Sequence, residues 1–393
     1  MIEYTSEQKE LINLAVKWFH DPYAPKVFEY TGAAGTGKSL VMHAIIEALG
    51  LEEYEVVPMA YTGAAALVMR RHGFPTARTI HSTIYSPTLD EKTKTIKFKY
   101  VGYPMWAKLI CIDEASMVGM DLKYDVENTN CKILVCGDLE NQLPPINTEP
   151  AYLADPQKVF RLTKIMRQAE DSAIVQIANA IKNDQRFNTG IYNNGEVLVI
   201  TKDDFYKNLH QIVKKYGLII CGYNKTRDRI NEKIRREIYG YQSPLPFKNE
   251  RLICRKNNWN IAQDGINLVN GLCGIAMRTV EITSFKNSHF ILDFKPDFLE
   301  YTFEGLKCDY KYFMSEYRER NEMRSLNINS NEYEKFEYAY CITTHVAQGS
   351  QFDSGVYIEE YIPNISKKLN YTGITRFRNK CIYVVPEKRL YKI

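Results

Sequence analysis

Val27-Phe-Glu-Tyr-Thr-Gly-Ala-Ala-Gly-Thr-Gly-Lys-Ser39 is the stretch from which the fold can be read. Its second half, Gly32-Ala33-Ala34-Gly35-Thr36-Gly37-Lys38-Ser39, fits the pattern G-x-x-x-x-G-K-[ST]. The run Val27–Tyr30 before it reads as a strand, and the residues from Lys38 to about Leu49 read as a helix. In that context the glycines let backbone N–H groups close around phosphate oxygens, and the helix N-terminus adds partial positive charge. Gly32, Ala33, Gly35, Thr36 and Gly37 form the expected cradle. Lys38 is expected to reach the terminal phosphates of a nucleoside triphosphate, and the Ser39 hydroxyl to bind Mg²⁺. A chance glycine-rich turn would not carry the lysine, the serine and both flanking elements together.

Moving outward, Asp113 and Glu114 end the apolar run Leu109-Ile-Cys-Ile112. A strand that delivers two carboxylates beside a phosphate loop divides their labour: Asp113 in the metal shell, Glu114 as general base for the attacking water. Gly137-Asp138 follows the next apolar run, and Gln142-Leu-Pro-Pro145 comes shortly after. A neutral amide near the last phosphate can tell ATP from ADP without adding charge, so Gln142 is a candidate nucleotide sensor. Phosphoryl transfer also gains from a guanidinium on that phosphate. Arg167 in Leu162-Thr-Lys-Ile-Met-Arg-Gln and Arg376 in Tyr371-Thr-Gly-Ile-Thr-Arg are the candidates; the ordinary reading of either in isolation is a solvated surface arginine.

The first third of the chain alternates short apolar runs with amphipathic patterns. Leu11, Leu14, Ala15 and Trp18 fall at helical spacing behind a cap at Thr5 or Ser6. Further strands are expected at Glu55–Ala60, Leu109–Ile112 and Lys132–Cys136. This alternation predicts an α/β fold whose parallel sheet gathers ligands at the strands' C-terminal ends. A second α/β rhythm begins after about Pro150, with strands at Gly217–Gly222, Tyr338–Thr343, Gly355–Ile358 and Lys380–Val385 and a helix over Thr226–Ile238. Two interruptions break it. Asp90–Tyr100 alternates Thr, Ile and Phe with Lys, as an exposed β-hairpin would, and residues from about Ile275 to Lys335 read as a small β-rich insertion.

At 393 residues the chain exceeds one compact core. With 45% hydrophobic and 25% charged residues and a net charge of +4, composition gives little sign of a nucleic-acid partner. The 28 tyrosines offer stacking faces, but packing is the ordinary use of most. The N-terminus has acidic residues and no basic start before an apolar run, so no signal peptide is expected, nor any membrane span. Nine scattered cysteines without a Cys-x-x-Cys pair point to buried reduced thiols in a cytoplasmic protein rather than to zinc.

The order of these segments carries a resemblance. The phosphate loop, Asp113-Glu114-Ala-Ser, Gly137-Asp138 with Gln142-Leu-Pro-Pro145, Met166-Arg167-Gln, Thr344-His345-Val-Ala-Gln348-Gly349-Ser350 and Tyr371 to Arg376 succeed one another as the motifs of superfamily 1 helicases do. The chain most resembles the RecD-like branch, superfamily 1B, and within it the compact bacteriophage helicases of the Dda type, from Gln8 to about Lys380. The resemblance implies two tandem RecA-like domains: residues 1–150 with an inserted hairpin at about 84–105, and residues 151–274 with 336–393. A small β-rich, SH3-like domain at 275–335 is inserted in the second.

The resemblance also implies roles. Gln8 looks like the glutamine that reads adenine, and Arg167, Arg376 and Gly349 like residues that meet the nucleotide, the two arginines reaching the γ-phosphate across the cleft. Tyr61, Thr62 and Gly63, then Thr79, His81 and Ser82, look like the first domain's DNA-contacting motifs. Tyr61 departs from the pattern, since many relatives have proline there. Asn224 and Arg227 resemble the T-x-N segment of the second domain, and Thr343, Thr344, His345 and Ser350 its other DNA-contacting motif. The hairpin falls where this branch inserts the pin that splits duplex DNA; a solvated surface hairpin is the plainer alternative.

The expected cofactors are ATP and Mg²⁺. The expected partners are single-stranded DNA, forked duplex DNA, and single-strand-binding or replisome proteins, with no membrane and a monomer as the functional unit. Polarity is implied as 5′ to 3′ by the resemblance alone. A P-loop nucleotide kinase, a strand-binding ATP switch and a helicase-like accessory subunit are the competing classes.

Overall fold

A computed structural model describes residues 3–90, 95–145, 148–165, 171–185, 187–263, 266–282, 289–297, 299–315 and 333–386. The chain begins with helix Ser6–His20, stopped at its start by a capping box: the Thr5 hydroxyl accepts from Gln8 N–H, and the Gln8 side chain accepts from Thr5 N–H. Its apolar stripe, Leu11, Ala15 and Trp18, is buried on the first sheet.

That sheet is six-stranded and parallel throughout, in the order Arg78–Thr79, Val56–Ala60, Leu109–Asp113, Lys132–Gly137, Val27–Gly32, Val159–Leu162. The strand period sends alternate residues to opposite faces. Leu109 and Cys111 enter one core with Tyr30, Val41 and Ile45, while Ile110 and Ile112 enter the other with Ile80, Ile133 and Val135. Burying each such aliphatic side chain is worth roughly 1.5–3 kcal/mol. Burial on both faces explains why these strands read as unbroken apolar runs.

The second sheet orders Cys341–Thr343, Ile219–Cys221, Phe352–Ile358, Phe377–Val385, Val197–Thr201 and Gly190–Tyr192, parallel except for the last, antiparallel edge. It too has a separate core on each face. Two parallel sheets with helices on both sides fix the fold as a tandem α/β architecture.

The boundaries differ from the expected ones in two places. Strand Val159–Leu162 lies beyond residue 150 yet hydrogen-bonds to Val27–Gly32 of the first sheet. Four residues at a sheet edge carry no pattern that says which sheet they join. The β-rich unit also reaches past 275–335. Its antiparallel sheet orders Phe303–Asp309, His289–Pro296, Cys273–Ile282, Arg251–Cys254 and Phe336–Tyr338. Its edges meet at a bridge between Cys308 and Glu334, where Glu334 N–H donates to Lys307 O at 2.7 Å. The expected strand Tyr338–Thr343 is accordingly two: Phe336–Tyr338 pairs with Arg251–Cys254 in this unit, and Cys341–Thr343 returns to the second sheet.

The hairpin pairs Tyr85–Asp90 with Thr95–Tyr100, so its first strand starts five residues before Asp90. Its base is tied down by two tyrosines, Tyr85 bonding to the Asp125 carboxylate and Tyr100 donating to Asn128 O at 2.7 Å. Among the described residues no helix is long and apolar enough to cross a membrane.

Candidate nucleotide cleft and nucleic-acid face

The phosphate loop leaves strand Val27–Gly32 and turns on two left-handed glycines, Gly35 at φ 85° and Gly37 at φ 79°, a conformation that only glycine adopts freely. Thr36 is fully buried and its hydroxyl donates to Ala33 O at 2.9 Å, pinning the turn. Lys38 Nζ folds back to donate to Gly32 O at 2.8 Å and Ala33 O at 3.3 Å, so the ammonium sits over the loop.

Strand Leu109–Asp113 ends beside it. Ser39 Oγ donates to Asp113 Oδ2 at 3.2 Å, while Asp113 Oδ1 accepts from the Glu114 N–H at 2.7 Å and from the Cys136 thiol at 3.0 Å. Burial pushes that thiol well above its ordinary range, which keeps it a donor. Glu114 lies at φ 52°, ψ 38°, a left-handed conformation that costs an L-residue about 1–2 kcal/mol. Its Oε1 is 3.5 Å from Arg376 Nη1, and its Oε2 is buried with no hydrogen-bond partner among the described residues. A buried carboxylate oxygen without a donor is costly, and such atoms mark places where a ligand or water completes the site.

Arg376 comes from the second unit and is held there by Thr372 O at 3.1 Å and Ser350 O at 3.3 Å. Gln142 is buried; its N–H donates to Asp138 O at 2.9 Å and its Oε1 accepts from Ser116 Oγ at 3.5 Å. Between the units lies a cavity of about 460 Å³. Gly35, Gly37, Lys38, Ser39, Asp113, Glu114 and Gln142 line it from one side, and Gly349 and Arg376 from the other. That volume is within the range of small-molecule sites.

Four of the expected nucleotide residues, Gln8, Gly32, Ala33 and Thr36, do not line this cavity. Gln8 does not line the cavity: beyond its capping bond, its Nε2 donates to Thr36 O at 3.0 Å, so the side chain braces the loop from behind. Ala33 and Gly32 also lie behind the lining, as acceptors for Lys38. Arg167 lies outside the described residues.

Of the nucleic-acid candidates, several cap helices. Thr62 caps Gly63–Arg71, accepting from Ala65 N–H at 3.1 Å, and Thr79 caps Ile80–Ile84, accepting from Ser82 N–H at 3.1 Å. Gly63 and Gly349 mark close approaches: a Cβ on Gly63 would fall 2.1 Å from Val269, and one on Gly349 2.6 Å from the Thr62 hydroxyl. His81 sits between Tyr61 and Tyr85, at centroid distances of 6.2 and 5.7 Å, and Tyr100 continues the row. Burial holds both His81 and His345 below the ordinary imidazole range, so each ring is neutral near pH 7. Gly63, Thr79 and Ser82 share a second cavity of about 250 Å³ with Arg70, Arg78 and Asn267.

The second unit's candidates fit a surface role less well. Arg227 is 4% exposed and ion-paired to Asp228 and, at 3.2 Å, to Glu337. It ties its helix to the β-rich connection instead of facing outward. Thr344 is fully buried, its hydroxyl donating to Cys221 O at 3.1 Å; Thr343 and Ser350 are buried as well. Asn224 opens helix Asn224–Lys233, and His345 is half-buried.

Sequence reasoning missed Arg378, which lines the main cavity with its Nη2 2.6 Å from His72 Nε2. The available signal was its place two residues after Arg376, at the start of strand Phe377–Val385. Tyr371 and Thr372, whose hydroxyls cross the cleft, belong to the segment that ends in Arg376 and carried no separate signal. Arg70 and Arg78 had no pattern to single them out.

Fold and site together define a two-domain P-loop nucleotide-binding protein whose cleft is completed by an arginine from the far domain. The family model described as "AAA domain" matches residues 4–202, about half of the chain, and the chain belongs to that family. Its relatives include RecD2, RRM3 and Pif1 helicases. It is 24% identical over 373 residues to the ATP-dependent RecD2 DNA helicase of Deinococcus radiodurans, covering 89% of this chain and 46% of that protein. It is 30% identical over 212 residues to the ATP-dependent DNA helicase RRM3 of Saccharomyces cerevisiae, covering 45% and 27% respectively. The chain thus spans less than half the length of both. The Pif1 helicase of Candida albicans superposes with a TM-score of 0.53 at 15% identity, covering 98% of this chain and 94% of that one. Bacteroides Pif1 bound to single-stranded DNA gives 0.54 at 19%, covering 98% and 92%. These likenesses fix the fold as two RecA-like domains.

Proposed function

We propose that the chain is an ATP-driven motor that moves along single-stranded DNA and parts duplex DNA. The observation that carries this reading is the approach of Arg376 to Glu114 from across the cleft. With the cleft closed, the guanidinium neutralises the base that would activate water. A triphosphate entering on the Lys38 side competes for Arg376 and releases Glu114 to orient the attacking water. Hydrolysis then removes the anion that Arg376 was holding, and closure loses its support. Ser39 and Asp113, already within hydrogen-bond distance of each other, are the residues that would hold Mg²⁺, which neutralises charge on the terminal phosphates when bound.

The DNA path runs, in this reading, over the helix starts at Thr62 and Thr79 and the row Tyr61, His81, Tyr85, with His345 and Asn224 on the second domain. Neutral hydroxyls, a neutral imidazole and backbone N–H groups suit phosphate contact without sequence preference, and Arg70 and Arg78 add the charge that makes binding salt-sensitive. The likeness to Pif1 bound to single-stranded DNA supports this placement. The hairpin Tyr85–Tyr100, rooted at the end of that row, is positioned to act as the separating pin, and polarity follows the branch as 5′ to 3′.

Arg376→Ala tests the cleft. The expected result is a fall in strand-stimulated ATP hydrolysis on the order of 10³-fold with single-strand affinity retained. Near-normal turnover by that variant would sink the cross-cleft assignment.

A further inference from the structure

Helix Ser366–Ile374 meets the first domain with one face. Lys368, Tyr371 and Thr372, spaced i, i+3, i+4, each make a polar contact across the cleft. Lys368 Nζ donates to Leu139 O at 2.8 Å, the Tyr371 hydroxyl accepts the Ala34 N–H at 2.8 Å, and the Thr372 hydroxyl accepts the Leu143 N–H at 3.2 Å. The same helix end carries the arginine, since Arg376 Nε donates to Thr372 O at 3.1 Å. Of the three contacts, only Tyr371 reaches the phosphate loop itself.

We propose that Tyr371 is a positioning residue whose hydroxyl latches the second domain onto the phosphate loop in the register that brings Arg376 to Glu114. The ring and the hydroxyl have separate tasks. The ring is 1% exposed and packs in the second domain's own core with Ile374 and Phe377. The hydroxyl alone leaves that core to take a backbone N–H of the first domain.

The surroundings give that hydroxyl little freedom. Asp138 lies beside it: burial first, and then this carboxylate, push the phenol well above its ordinary value, so it stays protonated. Asp138 Oδ1 already accepts from the Asn141 side chain at 2.7 Å, while Oδ2 is buried with no hydrogen-bond partner among the described residues. Accepting from Ala34 leaves the phenol proton available to that carboxylate. The hydroxyl thus serves the phosphate loop and the start of the sensor loop at once. Both groups can find water when the cleft opens, so the hydroxyl's contribution belongs to the closed state alone.

This inference rests on the reading of the cleft as an ATP-hydrolysing site, and Tyr371→Phe isolates it by deleting one oxygen while keeping the ring. The comparison variant is Tyr357→Phe, which removes a buried hydroxyl whose partners among the described residues lie within the second domain, Asn370 Oδ1 at 2.8 Å and Leu369 O at 3.3 Å among them. Steady-state ATP hydrolysis with saturating single-stranded DNA and thermal melting are measured on both and on the unaltered chain. Tyr371→Phe should lose about tenfold in kcat, the scale of one buried donor left unpaired, with KM for ATP changing less than about threefold. Tyr357→Phe should lower the melting temperature and leave kcat near the unaltered value. Unchanged kcat in Tyr371→Phe, or equal losses in both variants tracking their melting temperatures, would overturn the latch. An unaltered chain that does not hydrolyse ATP would instead overturn the reading on which the latch rests.

Discussion

Glu114 shows how a single residue can be placed by strain. Its left-handed backbone turns the chain out of strand Leu109–Asp113 within one residue, so Asp113 faces Ser39 while Glu114 faces the opposite domain. Gly349 does a comparable job from the other side at φ 80°, where its missing side chain lets the second domain approach Thr62 and Ala65. Gly349→Ala forces a Cβ to within 2.6 Å of the Thr62 hydroxyl in a backbone region that disfavours it. Single-strand stimulation of ATP hydrolysis should fall several-fold while binding of a fluorescent nucleotide is retained, and undiminished stimulation would contradict the proposed role of this contact. Residue types were legible in the sequence wherever chemistry demands a particular atom, as at Lys38, Ser39, Asp113, Glu114 and Arg376. Burial was not legible. Gln8, Arg227 and Thr344 carry polar groups that look available on paper, and each is consumed by a capping bond, an ion pair or a strand carbonyl.

At the scale of elements, apolar runs bounded by turns place the first sheet's strands Val27–Gly32, Val56–Ala60, Leu109–Asp113 and Lys132–Gly137 to within two residues, because burial on both faces leaves a continuous signal. Phe352–Ile358 and Phe377–Val385 of the second sheet each begin three residues before the expected start. Edges and sheet changes left no such trace. Val159–Leu162 is four residues at a sheet edge, and the run 336–343 passes from one sheet to another without a change in composition. Only pairing partners distant in sequence decide such cases. The hairpin is visible through alternation only from Asp90, since Tyr85 and Ser86 follow directly on a helix and Pro87 disguises the strand, whereas the start at Tyr85 lies inside the 84–105 that the resemblance implies. Its tyrosine roots at both strand bases make it a separable element. Replacing residues 87–98 with a short Gly-Ser turn should leave strand-stimulated ATP hydrolysis intact and abolish separation of a forked duplex. Unchanged unwinding would reject the pin.

For the whole molecule, the arrangement of two sheets around one cleft matters more than any one motif. Polar contacts cross between the domains at Lys368, Tyr371, Thr372, Gln348, Arg376 and Arg378, and among these all but the Arg378–His72 contact fall on the phosphate loop, the Asp138–Leu143 loop and Glu114. Closure and nucleotide chemistry therefore share one set of atoms. The close packing of Gly349 on Thr62 places the proposed strand path at the same domain boundary. Alternating closure and release at that boundary is what would convert hydrolysis into movement. Movement itself is measured most directly by displacement of streptavidin from biotin at either end of a single-stranded oligonucleotide. A 5′ to 3′ motor gives ATP-dependent displacement from the 3′ end, absent in Lys38→Ala. Hydrolysis of ATP on the same oligonucleotide with no displacement from either end would contradict it.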